Sequence, residues 1–418
     1  MQALTYQVNP VGWATCKWLR HFWPGCLRSR LNGLALRDLD PPALPGDDWV
    51  RVRTRLGGLC GSDLAIVAQK QPPDSILQAF SSMPFVLGHE NVSVVEEVGP
   101  AVDAAWRGKR VCVEPTLNCA VRGIDPPCER CAAGEFGSCE KFGADGAQGR
   151  SHLPAGSCTG YNAVTGGSWG ERFVAHVSQL VEVPASLSDE LAALTDPVAC
   201  SLHAALRADL SSARQVLVYG AGVLGLGLIA ALRAIGYAGR IDALDTAGYL
   251  AEVARKFGAD EFLRLPAARG ARFDAVAART GGRVHRVRFG NRMLTGGYDV
   301  VFDCVGARRS INESLKWARA RGQVVMVATS HGGRIDLTPL WFRELTWTGV
   351  SGRQVENFAG RRVQTYQLVH EMMTQGKLDV REMLTHTFRL GQYRQALETA
   401  MNKSAFRAIK VAFDFRSQ

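Results

Sequence analysis

Twenty-one residues, Cys119 to Cys139, hold four cysteines in a stretch rich in glycine and proline and poor in large apolar side chains. Such a segment cannot build a hydrophobic core of its own. Four thiolates, from Cys119, Cys128, Cys131 and Cys139, would fold it by closing around one zinc, because metal binding is then folding free energy. The competing reading, two disulfides or unrelated buried thiols, calls for an oxidising compartment. Eleven cysteines is an odd number, and Met1 to Arg30 mixes Trp, Arg, His and Pro without an apolar signal segment. No apolar run reaches the length of a membrane span. Reduced thiols or metal ligands in a cytoplasmic protein are therefore expected, with no membrane partner.

The formal net charge of +10 raises the question of nucleic acid. Between Arg264 and Arg292 eight arginines face one acid, Asp274. The stretch has only Phe273 and Phe289 as aromatics and no helix-turn-helix or finger pattern, so no nucleic-acid partner is expected. It reads as a solvated basic insertion or as an attractor of an anionic cofactor or substrate.

A chain of 418 residues has room for two or three domains. Trp49 to Leu56 alternates, with Val50, Val52, Thr54 and Leu56 on one face and three arginines on the other, as in a half-buried strand. Up to about Asp196 strands and loops dominate. Beyond it helices and strands alternate: helix 198–208, strand 215–219, helix 223–235, strand 240–244, helix 249–257, strand 299–304, helix 310–320 and strand 323–328. That order predicts a doubly wound parallel sheet. A helix over 364–376 and short strands to Phe415 have no evident partner in that sheet.

The strand Gln215 to Tyr219 runs into Gly220-Ala221-Gly222-Val223-Leu224-Gly225, which opens an apolar helix. Gly220 permits the tight turn, Gly222 lets backbone approach a pyrophosphate, and Gly225 allows close packing of helix on strand. Asp245 ends the next strand, where it can accept from a ribose diol and repel a 2′-phosphate. NAD is expected over NADP.

A second set of metal donors is dispersed. Cys60 lies on the bend Gly57-Gly58-Leu59-Cys60-Gly61-Ser62-Asp63. Gly88-His89-Glu90 stands at a loop-to-strand junction. Neighbours on a regular strand face opposite ways, so His89 is read as the ligand and Glu90 as its outer partner or an exchangeable ligand. Asp196 precedes Pro197 at a helix start, where helix capping competes with a metal role. Cys, His and carboxylate with an open fourth position is a catalytic zinc pattern.

In this order, Cys60-Gly-Ser62-Asp63, Gly88-His89-Glu90, the cysteine lobe and the Gly220 loop resemble the zinc-containing medium-chain dehydrogenase/reductase family, in its alcohol, polyol and threonine dehydrogenase branches. The likeness runs from about Met1 to Phe415. It implies a GroES-like β-rich catalytic domain over 1–196, with a structural zinc lobe at about 115–142, and a Rossmann NAD-binding domain over 197–352. Residues 353–418 would return to the first domain. It further implies two zincs per chain, NAD, an alcohol, polyol or sugar substrate, and a homodimer or homotetramer. Cys60, His89 and Glu90 match the catalytic zinc site, and Asp196 the carboxylate of a Glu-Pro pair in the zinc sphere. Ser62 would pass the alcohol proton, and Arg407 would approach the pyrophosphate.

Two departures stand out. The lobe's first cysteine usually lies three residues before the second. Asp125 occupies that position here, and Cys119, nine residues before Cys128, is favoured as the softer ligand. Ala65 stands where many members carry a relay histidine. The region 11–36 is an insertion relative to shorter members. Two other functions are weighed: a zinc-free NADPH quinone or enone reductase of the same fold, and a non-enzymatic basic zinc-binding protein.

Overall fold

A computed structural model describes residues 1–330 and 333–416. The chain forms two compact units. One holds residues Met1–Asp196, Arg353–Thr374 and Met383–Gln418, and the other Pro197–Gly352 with Gln375–Glu382. The short piece 375–382 thus departs from the expectation that all of 353–418 joins the first unit.

The first unit is built on the strand Trp49–Gly58. Val50, Val52, Thr54 and Leu56 are all fully buried, as their alternation predicts, while the three arginines between them are only partly covered. This strand pairs antiparallel with Glu90–Val98, with Arg172–His176 and with Lys410–Asp414. The pairing with the last of these draws the end of the chain into the sheet. A smaller sheet joins Leu34–Asp38, Gln2–Tyr6 and Phe85–Val86.

The inserted region contains a helix, Pro10–Leu19, whose first donors, Val11 and Gly12, are capped by the Asn9 side chain. The sequence offered no account of this segment. Its core is small: Cys16, Cys26 and Leu27 are buried together, with the two sulfurs 3.0 Å apart.

The second unit carries six parallel strands: Glu261–Arg264, Arg240–Asp245, Gln215–Tyr219, Tyr298–Asp303, Ala318–Met326 and Thr346–Gly349, in that spatial order. Numbered along the chain this is 3-2-1-4-5-6, the dinucleotide-binding arrangement. The helix expected to reach Ala320 stops at Trp317. Trp317 is fully buried and stacks on Tyr219 at 5.4 Å, and pairing with Tyr298–Asp303 draws Ala318 onward into a strand. The basic segment is only partly a solvated insertion. Its helix Arg269–Thr280 buries Phe273 and Val276, and Arg272 forms a buried ion pair with Glu313. A two-stranded hairpin, Arg283–Arg286 with Arg292–Thr295, follows. Among the described residues no helix is long and apolar enough to cross a membrane.

Candidate active site and metal centres

Cys119, Cys128, Cys131 and Cys139 converge, with their sulfurs all within 4.8 Å of one another. Cys119 and Cys139 are 3.7 Å apart, and Cys128 and Cys139 4.0 Å. Those separations exceed a disulfide bond. They match the spacing of about 3.8 Å that four sulfurs take at about 2.3 Å from a tetrahedral zinc. Backbone N–H groups of Cys128 and Lys141 donate to the Cys119 and Cys139 sulfurs, each at 3.4 Å, as suits thiolates. Hydrogen bonds from the other lobe thiols, Cys131 foremost, hold Cys139 down at about 6. Asp125 is exposed and is not part of this group.

The second group joins Cys60, His89 and Glu90, their donor atoms again within 4.8 Å of one another. Cys60 precedes the helix Gly61–Val67. His89 lies just before the strand Glu90–Val98, so strand alternation does not separate it from Glu90. That corrects the expectation that only one of the two could face the site. Gly88, at φ +91°, makes the turn, and a Cβ there would collide with the Trp169 indole. A Cβ on Gly58 would strike the Glu90 carboxylate.

His89 and Glu90 are almost fully buried. Neither His89 Nδ1 nor Glu90 Oε2 has a well-formed hydrogen bond. Asp63 Oδ1 lies 3.5 Å from that nitrogen, and the buried Lys410 ammonium presses on the Glu90 oxygen while donating to the Leu59 carbonyl at 3.1 Å. Burial opposes a proton on His89, yet Asp63 and Cys60 outweigh it and raise its pKa well above normal. Underused buried donors in an anionic field fit a divalent cation. The Tyr161 hydroxyl reaches Ser62 Oγ at 2.9 Å and Asp63 Oδ1 at 2.8 Å, sharing one proton between them. Burial, then Asp63, raise that phenol well above 10, so it stays neutral.

Asp196 does not join the Cys60 group. Nor does it cap the helix, which already includes Thr195. Its Oδ1 accepts from Arg353 Nε at 2.6 Å and from the Tyr366 hydroxyl at 2.5 Å, and its Oδ2 from Arg353 Nη2 at 3.0 Å. Burial pushes this carboxyl up, but the Arg353 charge and hydrogen bonds win and hold it at about 2. Both oxygens are committed, which is the physical reason it stands outside the metal donors.

Sequence reasoning missed Tyr161, Arg353, Tyr366 and Lys410. Only Lys410 left a trace, a lone cation at the head of the apolar run Val411-Ala412-Phe413. Arg407 is exposed in the first unit, in left-handed conformation at the end of the helix Lys403–Phe406.

In the second unit Gly220 has φ +96°, and a Cβ on Gly225 would collide with the Gly220 carbonyl. Gly222 precedes the helix Val223–Ala234 and meets nothing within 4 Å, which leaves the approach to the helix N-terminus, including Val223 and Leu224, open. Asp245 accepts from Ala221 N at 2.8 Å and from Ala247 N at 2.9 Å.

Comparison with known proteins agrees with this architecture. A model of the alcohol dehydrogenase GroES-like domain matches residues 46–185, and one of zinc-binding dehydrogenases matches 223–367. The chain is 29% identical to a sorbitol dehydrogenase of Arabidopsis thaliana over 391 residues, 92% of this chain and 94% of that one. It is also 29% identical to an L-idonate 5-dehydrogenase of Vitis vinifera, covering 92% and 93%. The crystal structure of galactitol-1-phosphate dehydrogenase from Escherichia coli superposes with a TM-score of 0.69 at 19% identity, covering 99% of this chain and 100% of that one. At that identity the likeness is one of fold.

Proposed function

The chain belongs to the zinc-containing medium-chain dehydrogenase/reductase family, and on that premise we propose that it oxidises a secondary alcohol, polyol or sugar with NAD. It is an oxidoreductase acting on CH–OH groups. The observation that carries the finer reading is the convergence of Cys60, His89 and Glu90 apart from the four-thiol lobe. Cys60, His89 and Glu90 hold a catalytic zinc, and Cys119, Cys128, Cys131 and Cys139 a structural one, two per chain. Zinc at the first site supplies Lewis acidity toward the alcohol oxygen, and NAD supplies the hydride acceptor.

The chain's own residues do the rest. Asp63 orients the His89 ring. Ser62, held by Tyr161, takes the alcohol proton in the absence of a histidine at Ala65. Gly220, Gly222 and Gly225 shape the pyrophosphate turn, with the N–H groups of Val223 and Leu224 at the helix start, and Asp245 binds the ribose diol. Arg407 attracts the pyrophosphate. Asp196 acts as the anchor of Arg353 and Tyr366 rather than as a ligand. The mixed Cys–His–Glu donors speak against a zinc-free quinone or enone reductase, and the dinucleotide loop against a purely structural zinc protein. The family resemblance favours a dimer or tetramer.

The test is a panel of alcohols, polyols and sugars with NAD, read as NADH absorbance, on protein of known zinc content. Turnover of a secondary alcohol by protein carrying two zincs per chain is expected. No turnover across the panel, or one zinc or none in active protein, would count against the reading.

A further inference from the structure

Beside Asp245 the second unit carries more positive charge than a ribose diol requires. An open cavity of about 670 Å³ is lined by Thr246, Arg264, Arg272 and Arg309 around Leu265 and Pro266. Arg272 is occupied: it pairs with Glu313 at 2.9 Å and donates to the carbonyls of Pro266 and Ala267. Arg264 and Arg309 are different. Both are exposed, and among the described residues neither has a carboxylate within ion-pair distance.

Their placement is specific. Arg264 is the parallel-sheet neighbour of Asp245, in register with it. Arg309 sits in the first turn of the helix Arg308–Trp317, which has no acid in that turn. A helix start disfavours cations, so two arginines there work against the helix unless an anion joins them. Asp245, the one acid that could repel such an anion, turns both oxygens to backbone N–H groups, with Thr246 Oγ1 also 3.4 Å from Oδ1.

We propose that Arg264 and Arg309 form a subsite for a phosphomonoester on the 2′ position of the adenosine ribose, so that the chain takes NADP as well as NAD. The proposal rests on the dinucleotide reading of the Gly220 loop. A guanidinium fork matches a phosphate better than a diol, and two unpaired forks at one cavity make charge-assisted contacts available without breaking an existing ion pair.

Isothermal titration of the full chain with adenosine fragments tests it without turnover. The probes are 5′-AMP, adenosine 2′,5′-bisphosphate and adenosine 3′,5′-bisphosphate. The 2′,5′-bisphosphate should bind roughly tenfold or more tightly than 5′-AMP, in keeping with charge-assisted hydrogen bonds. The 3′,5′ isomer, of equal charge, should not share the gain. Arg264→Ala and Arg309→Ala should each bring the 2′,5′-bisphosphate back toward 5′-AMP while leaving 5′-AMP unchanged. Added salt should shrink the gain. Equal binding of the 2′,5′-bisphosphate and 5′-AMP, or an equal gain for both isomers, overturns the subsite and leaves the NAD reading intact. Failure of all three, and of NAD, to bind overturns the dinucleotide reading and the subsite together.

Discussion

The two donor groups of the first unit differ in how the chain assembles them. The lobe draws four like donors from 21 consecutive residues, with little else to hold that stretch together. The Cys60 group draws three unlike donors from two segments, in a fully formed sheet with Lys410 beside it. A metal in the lobe makes structure. A metal in the Cys60 group enters structure already made, where Lys410 and Asp63 balance the charges of Glu90 and His89. Loss of the first should cost folding, and loss of the second chemistry.

The largest expected effect is on the lobe. Cys119→Ser removes one of four thiolates from a site whose metal, in isolated zinc modules, contributes about 10–16 kcal/mol. The variant should lose one zinc per chain by elemental analysis and melt far lower or aggregate, whereas Asp125→Ala keeps both zincs. The reverse pattern would break the comparison.

Next comes His89→Ala. With several kcal/mol of Lewis-acid stabilisation gone, activity should fall by roughly a thousandfold or more. One zinc should leave, and the melting temperature should shift far less than in the lobe variant. Comparable melting losses in both would mean that both sites are structural.

Lys410→Met sharpens the contrast further. It strands the buried Glu90 carboxylate, so chelator-treated protein should lose about 3–5 kcal/mol by denaturant unfolding. Bound zinc, a replacement for the missing cation, should return much of that loss. Equal losses with and without zinc would show that Lys410 and the metal do not share Glu90.

The smallest effect is Asp196→Asn. The Asp196 carboxyl sits at about 2 in the fold and near 4 when unfolded. Its depressed value stabilises the protein by about 2 kcal/mol above pH 4, and that contribution disappears as pH falls toward 2. The Asn variant should be less stable by about that amount at pH 7 and should show less acid dependence between pH 4 and 2 in thermal melts. Zinc content should not change. Loss of the catalytic zinc in this variant would restore Asp196 to the metal.

What could be read in advance follows the same division. The lobe, the glycine loop and the strand Trp49–Gly58 are local patterns, in which spacing or alternation carries the physics. Glu90 was misjudged because alternation was applied one residue too early, across a junction that Gly88 bends. Asp196 was misjudged because its partners, Arg353 and Tyr366, lie about 160 residues away and are marked by no local period. The helix over 310–320 was drawn too long because Ala318 and Arg319 suit a helix by propensity, while pairing with Tyr298 placed them in a strand. The basic segment looked like surface because its burial depends on Phe273, Val276 and one internal ion pair among many arginines.

The strand Lys410–Asp414 pairs with Trp49–Gly58, and Lys410 reaches the Leu59 carbonyl 351 positions earlier. During synthesis at about 5–20 residues per second, Glu90 therefore waits roughly 20 to 70 seconds for its counter-charge. The four lobe thiols emerge together early in that interval and need nothing from the rest of the chain to gather a metal. Residues 197–352 are likewise translated before the last strand. The order of manufacture thus runs structural ion first, parallel sheet second and reactive centre last, so a ribosome that stalls before Lys410 releases a chain that has taken up one metal ion and has nowhere balanced to place another.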